Sequence, residues 1–298
     1  MKELIEKDLS ILRQEEYMSP GHLACQGCGA ALAMRHVLKA LGPETIVVLP
    51  ACCWTVINGP FAYSSVGVPV LHTAFETAAS AAAGVRAALE VLGGPEATVL
   101  AWAGDGGTFD IGLQALSGVA ERDEDILYVC YDNEAYMNTG IQRSSATPLL
   151  AWTTTTPLPR PKPRPKKDMM AIMAAHRIPY AATASVAFPE DLAAKVIKAK
   201  IYRGTKFIHI LTPCPPGWKS PSEQTVRLAR LAVETKVFPL YEVEEGVRHR
   251  ISYMPKGIPV REYLRLQDRF SHLQEEEIGR IQKLVDQAWE RLVKKALW

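Results

Sequence analysis

No stretch of this sequence stays apolar for long enough to cross a bilayer. The longest run of small residues, Ala78–Ala83, is closed in by Glu76 and Arg86, far short of the ~20 residues a spanning helix needs. The opening MKELIEKDLSILRQEEYM is charged throughout and lacks the apolar centre of a secretory leader, which predicts a cytoplasmic chain. A charge excess is missing too: the net charge is +2, which argues against nucleic acid or a membrane surface as partner. No internal repeat is present. Disulfides are not expected either, because a cytoplasmic compartment keeps the six cysteines reduced.

What is present is enough apolar material, 48% of 298 residues, for a large α/β core. Residues 30–41 read as a helix stopped by Gly42-Pro43, and TIVVLPA (45–51) as a buried strand. FETAASAAAGVRAALEVL (75–92) reads as a helix ended by Gly93-Gly94-Pro95, ATVLAWA (97–103) as a strand, 110–121 as a helix and DILYVCYD (125–132) as a strand. DMMAIMAAH, AATASVA, PEDLAAKVIKAK and KFIHILTPC continue the alternation, followed by a helix over 222–235. The pattern predicts a mainly parallel sheet flanked by helices. Between them, 147–167 (TPLLAWTTTTPLPRPKPRPKK) alternates proline with cations and predicts an extended, solvated connection over the surface. The expected division is a domain over 1–235 and a C-terminal extension over 236–298. That extension consists of a hairpin in YEVEEGVRHRISY and a long helix with the stripe Ile278, Ile281, Leu284, Val285, Ala288 and Leu292.

Chemistry concentrates where strands end. Gly104-Asp105-Gly106-Gly107 follows a strand and opens a helix, the position at which open parallel sheets bind ligands. Glycines there let the backbone approach a phosphate, and the helix N-terminus favours the anion. Asp105 adds a hard oxygen of the kind Mg²⁺ takes beside substrate phosphates. The next strand ends in Asp132-Asn133-Glu134-Ala135, so the Asn133 amide and the Ala135 carbonyl can complete a Mg²⁺ site on a diphosphate. Cys25-x-x-Cys28 is a chelating turn; Cys53 follows one strand and Cys214 another. Four such thiolates suit a [4Fe–4S] cluster, while a CxxC with scattered partners also suits Zn²⁺ or a redox dithiol. Cys130, in mid-strand, reads as core.

The spacing of GDG to a strand-end Asn resembles the diphosphate motif of thiamin diphosphate enzymes. Taken with LHTAFETAASAAAGVRAA, GDGGTFDIGLQAL and DNEAYMNTGIQRSSATP, most of residues 18–235 resembles the β subunit of pyruvate:ferredoxin oxidoreductases and their 2-oxoacid relatives. That resemblance implies a thiamin-binding fold, thiamin diphosphate with Mg²⁺, and a [4Fe–4S] cluster on Cys25, Cys28, Cys53 and Cys214. Counting back from Pro60 and His72 to the family position selects Cys53 over Cys52, although the family has Gly where Cys52 stands. It implies an anaerobic enzyme that decarboxylates a 2-oxoacid oxidatively, pyruvate by the CGA after the second cysteine, with oxalate as the alternative. Coenzyme A would take the acyl group and ferredoxin the electrons. An α subunit would supply the pyrimidine-binding domain and its activating Glu, for which Glu76 and Glu134 are the nearest local residues. Further subunits would carry ferredoxin-like clusters. Asn138 and Thr139 are expected to line the pocket beside the thiazolium and substrate, and Gln142 and Arg143 to meet the substrate carboxylate or a partner chain. His22 and His72 read first as structural residues. The prolines of 158–167 depart from the family; this stretch would guide ferredoxin or dock a subunit if it is not simply solvated. Rival readings are a zinc-stabilised, non-catalytic binding subunit and a thiamin decarboxylase without redox chemistry.

Overall fold

The computed structural model describes residues 15–94 and 96–297. The charged opening read in the sequence lies mostly outside these residues, as do Pro95 and Trp298. Among the described residues no helix is long and apolar enough to cross a membrane.

The elements follow the predicted alternation: α1 (Gly29–Leu41), β1 (Thr45–Pro50), α2 (Cys53–Ile57), β2 (Val70–Thr73), α3 (Ala78–Val91), β3 (Thr98–Gly104), a π-helical turn (Gly106–Ile111), α4 (Leu113–Glu121) and β4 (Leu127–Asp132). After a long connection come α5 (Met169–Ala175), β5 (Tyr180–Ser185), α6 (Pro189–Ile201), β6 (Lys206–Leu211), α7 (Pro215–Trp218) and α8 (Thr225–Glu234). The C-terminal part adds β7 (Tyr241–Glu244), β8 (Arg248–Ile251), α9 (Arg261–Leu264) and α10 (Glu275–Ala296). One eight-stranded sheet runs in the order β2-β1-β3-β4-β6-β5-β7-β8. Its first six strands are parallel, and the hairpin β7–β8 joins antiparallel on β5.

The two-residue alternation of the strands sorts them between two cores. Leu100, Trp102, Val129, Tyr131, Ile208 and Ile210 face α1 and α6. Val99, Ala101, Tyr128, Cys130 and Phe207 face α3, α4 and α5. Cys130 is thus a core residue, as its place in the strand predicts. In the third core Ile278, Ile281 and Val285 of the C-terminal helix pack against their own chain; Ala288 of the same stripe is exposed. Trp102 is fully buried, 5.7 Å from the ring centre of Tyr131 and 6.1 Å from that of Trp54. Truncating Trp102 to alanine is expected to cost about 3–5 kcal/mol of unfolding free energy in urea titration. A loss below about 1 kcal/mol would contradict this packing.

Three local features differ from the sequence reading. Edge strand β2 went unread because it is short and has no buried side chain to impose an alternation. The helix expected over 110–121 is preceded by a π-turn from Gly106, closed by Gly112 N–H donating to Gly107 O at 3.0 Å; such turns recur at functional sites. The third is a correction. Residues 147–167 contain no helix or strand, and 157–160 and 163–165 are exposed as a surface connection predicts, but two of the lysines, Lys162 and Lys166, are not solvated. Lys162 is 1% exposed and donates to the carbonyls of Ser145 (3.1 Å), Thr147 and Pro165 (3.3 Å). Burial, then Arg143 and Lys166, bring its ammonium down to about 8. Lys166 pairs with Asp132 and Glu134. Lys166 and Lys167 are drawn inward by the carboxylates beneath them, Asp132, Glu134 and Asp110, whereas Arg160 and Arg164 stay exposed.

Candidate active site

The strand order reverses beside β1: the chain leaves β1 for β2 on one side, and leaves β3 for β4 on the other. Ligands of open α/β sheets bind outside the carboxyl ends at such a point. Register brings Gly104 level with Tyr131, and Asp132 level with Leu211. Asp105, Asn133 and Thr212 therefore leave the sheet together, and Cys53 leaves beyond β1.

The Gly104–Gly107 turn is buried, and a side chain at Gly106 has no room: a Cβ there would lie 2.1 Å from the Tyr136 ring. Asp105 is 1% exposed and accepts a hydrogen bond from the Ser144 hydroxyl. Glu134, in the left-handed region at φ 68°, turns the chain where the Asn133 side-chain amide lies between Asp105 and the Ala135 carbonyl. Turned one way, the Asn133 amide nitrogen donates to Asp105 Oδ1 (2.9 Å) and to Ala135 O (3.0 Å). Turned the other way, its oxygen takes the same place and three oxygens converge. Adjacent ligands of an octahedral Mg²⁺ with ~2.05 Å bonds lie roughly 2.9 Å apart, so the donors fit the ion in type, and Asn133 fits it in its spacing to the other two.

Around the triad the loop is held on all sides. Tyr136 Oη donates to Asp110 Oδ2 (2.7 Å), as does the Ser145 amide (3.0 Å). Asp132 meets His209 Nε2 at 2.6 Å and the Lys166 ammonium. Glu134 meets Lys166 at 3.0 Å and Arg269 at 2.6 Å. Burial alone would raise Asp132, but Lys166 and His209 outweigh it and hold the carboxyl at about 2. Asp105 shifts the other way: burial and then the neighbouring Asp132 carboxylate push it well above the ordinary range, against the Ser144 hydroxyl and Lys166. A carboxylate in that setting is poised for a cation. Glu134, clamped by two cations, is not free to serve as the activating Glu; Glu76 is exposed.

The thiols gather along the same edge. Cys28 N–H donates to Cys25 O (3.1 Å), and the Gly29 amide donates to Pro213 O (3.1 Å). Only glycine allows that approach, since a Cβ at position 29 would lie 2.8 Å from Pro213 O. The CxxC turn is thereby docked on the segment carrying Cys214. Cys25 is exposed, whereas Cys28, Cys53 and Cys214 are half-buried. Burial raises Cys53, and Cys214, Cys52 and Cys28 add to the rise. Burial likewise pushes Cys214 up to about 12, with Cys28 and Cys25 adding to it against the Gly217 amide. Cys52 differs in what its sulfur meets: it caps the helix that follows, accepting from the Thr55 amide, and engages the Tyr131 hydroxyl. Among the described residues no three His, Cys, Asp or Glu side chains close on one point as metal ligands. Two buried polar atoms on residues close to cysteines in the sequence, Trp54 Nε1 and Thr212 Oγ1, lack partners among the described residues.

Asn138 and Thr139 are exposed at the tip of a loop closed by the Tyr136–Gln142 bridge, where the Thr139 hydroxyl donates to Gln142 Oε1 at 2.6 Å. Arg143 and His72 are exposed as well. Sequence reasoning missed Ser144, Asp110, Lys166, Trp218 and Arg269. Ser144 and Asp110 lay inside the quoted motifs, but nothing in spacing alone singles them out.

A mainly parallel sheet with a buried glycine turn and convergent oxygen donors at its carboxyl edge is an open α/β ligand-binding domain. The family model "Thiamine pyrophosphate enzyme, C-terminal TPP binding domain" matches residues 55–210. The ketoisovalerate oxidoreductase subunit VorB of Pyrococcus abyssi is 52% identical over 95% of this chain and 94% of its own length. The pyruvate synthase subunit PorB of Methanocaldococcus jannaschii is 53% identical over 92% of this chain and 95% of its own. The solved 2-oxoglutarate:ferredoxin oxidoreductase of Magnetococcus marinus shares the fold, with a TM-score of 0.58 and 22% identity over 72% of this chain and 79% of that one. The chain belongs to the family of 2-oxoacid:ferredoxin oxidoreductase β subunits.

Proposed function

We propose that this chain carries thiamin diphosphate, Mg²⁺ and a [4Fe–4S] cluster in a cytoplasmic, anaerobic enzyme that oxidatively decarboxylates pyruvate and passes the electrons to ferredoxin. The observation that carries the proposal is the Asn133 amide set between Asp105 and the Ala135 carbonyl, 2.9 and 3.0 Å from them, on the sheet edge that also bears the cysteines. Bound thiamin diphosphate supplies the electron sink that lets CO₂ leave a 2-oxoacid. Asp105, Asn133 and the Ala135 carbonyl hold Mg²⁺ against the diphosphate, and Gly106 and Gly107 let the backbone close on it. Asn138 and Thr139, exposed here, would line the substrate side of the cofactor pocket once an α subunit covered them, where the Asn138 amide could donate to an oxygen that gains charge. The α subunit brings the pyrimidine-binding domain and the activating Glu, and further subunits carry ferredoxin-like clusters. Cys25, Cys28, Cys53 and Cys214 hold the cluster beside the site where electrons are released, and coenzyme A takes the acyl group.

A second substrate reading is favoured by one observation: the relative named for ketoisovalerate is as similar as the one named for pyruvate. Anaerobic purification with the native partners, quantitation of iron and thiamin, and a viologen-reduction screen of pyruvate, 2-ketoisovalerate and oxalate test the whole proposal. The expected preparation is brown, bleaches with dithionite and reduces viologen with pyruvate. Colourless protein containing zinc and no thiamin would overturn it; a preference for 2-ketoisovalerate would replace the substrate alone.

A further inference from the structure

Besides Lys166, the loop carrying Asn133 and Ala135 is held by two side chains from remote parts of the chain. Trp218 Nε1 donates to the main-chain carbonyl of Asn133 at 2.8 Å. Arg269 Nη2 donates to Glu134 Oε2 at 2.6 Å. The two act as one unit, because the Arg269 guanidinium stacks over the Trp218 ring at 4.1 Å. Gln267 Oε1 accepts from Arg269 Nε (2.9 Å) and Nη2 (2.7 Å), which fixes the fork in the plane of the stack. Trp218, Arg269 and Glu134 are all nearly solvent-free, at 0%, 2% and 3% exposure.

The arrangement is more specific than core stability requires. Replacing a buried ion pair by apolar packing often leaves a fold as stable or more so. Here the pair is attached to Glu134, whose left-handed backbone must be held by its surroundings if Asn133 and Ala135 are to face one point. Arg269 comes from the C-terminal extension, and Trp218 lies four residues after Cys214. The metal loop is thus set by a chain segment remote in sequence and by the segment that bears a cysteine.

We propose that Arg269 and Trp218 are positioning residues that set Asn133 and Ala135 for Mg²⁺–thiamin diphosphate, so that the C-terminal extension tunes cofactor affinity. This rests on the thiamin diphosphate reading above. The planar fork of Arg269 is what the stack and the Glu134 contact use, and lysine reproduces the charge without the plane.

The test uses the complex with its native partners, depleted of cofactor by chelator and dialysis, then titrated with Mg²⁺ and thiamin diphosphate by calorimetry. Arg269→Met is expected to weaken cofactor binding ~10-fold or more and Trp218→Phe ~3- to 10-fold, the range for losing hydrogen bonds to charged and neutral groups. Arg269→Lys should recover only part of the loss. Iron content should stay at the wild-type level, and the kinetic defect should lie in cofactor half-saturation more than in kcat. Unchanged cofactor affinity in folded Arg269→Met, or in Trp218→Phe if the arginine variant does not fold, overturns the inference. A wild-type complex that binds no Mg²⁺–thiamin diphosphate overturns the underlying reading instead.

Discussion

Asp105→Ala is expected to yield a complex that keeps its iron but retains no thiamin diphosphate and has no measurable turnover. The substitution removes the one charged member of the oxygen triad and leaves the Ser144 hydroxyl without its acceptor. Mg²⁺ is a hard ion that dehydrates reluctantly and relies on one or two carboxylates plus phosphates. Removing the carboxylate should weaken cofactor binding ~100-fold or more, about 2.7 kcal/mol. Asp105→Asn separates charge from shape. It keeps an oxygen and a partner for Ser144, so its affinity should fall between alanine and wild type. Its cofactor-free form should also melt above wild type at neutral pH, because a carboxylate buried beside Asp132 and pushed upward costs stability whenever it must ionise. The sign follows from linkage: a folded carboxyl with a raised pKa binds protons that the unfolded chain has released, so wild-type stability falls as pH rises above about 4. The advantage of the asparagine variant should therefore shrink as pH is lowered toward 4. Thermal scans with and without Mg²⁺–thiamin diphosphate measure both effects. Thiamin retained at wild-type stoichiometry by Asp105→Ala would remove Asp105 from the site.

Much of this architecture is legible in the chain because the signals are local. A strand such as TVLAWAG, buried on both faces, reads as a continuous apolar run, and the helices between strands carry their own periodicity. The switch-point site inherits that clarity: once β3 and β4 are located, Asp105 and Asn133 must lie side by side. What stayed illegible depends on partners distant in sequence. Proline and cation alternation over 157–167 describes a solvated strap in every local respect, yet Lys166 is neutralised by Asp132 and Glu134, some thirty residues earlier. Arg269 sits in an unremarkable QDRF and acquires meaning only through Glu134 and Trp218. The π-turn escaped for another reason, since glycine is permissive in conformation and carries no periodicity. Asn138 and Thr139 are exposed, and their role under "Proposed function" depends on the surface that covers them.

Cys53→Ser is expected to remove nearly all the iron from the complex, while Cys52→Ser leaves it. The two cysteines are adjacent, and spacing alone does not choose between them. Their surroundings differ in kind. Cys52 precedes α2, where its amide donates to Thr55 Oγ1 at 3.2 Å, and its sulfur is engaged by the Tyr131 hydroxyl. Cys53 instead feels Cys214, then Cys52 and Cys28, after burial itself, and Cys214 and Cys28 are two of the other proposed ligands. A serine hydroxyl is a poor substitute for a thiolate on iron, so losing a true ligand should empty the site or leave a labile cluster. Serine at position 52 can still hydrogen-bond Tyr131 and should change little but thermal stability. Both variants should bind Mg²⁺–thiamin diphosphate as wild type does, since neither touches the oxygen triad. Iron assay, visible absorption and thiamin quantitation on the same anaerobic preparations read the result. Iron lost from Cys52→Ser but kept in Cys53→Ser would exchange the assignment. If either variant loses thiamin together with iron, the two groups do not occupy independent sites on this edge, and the electron donor and its first acceptor share a single coupled structure.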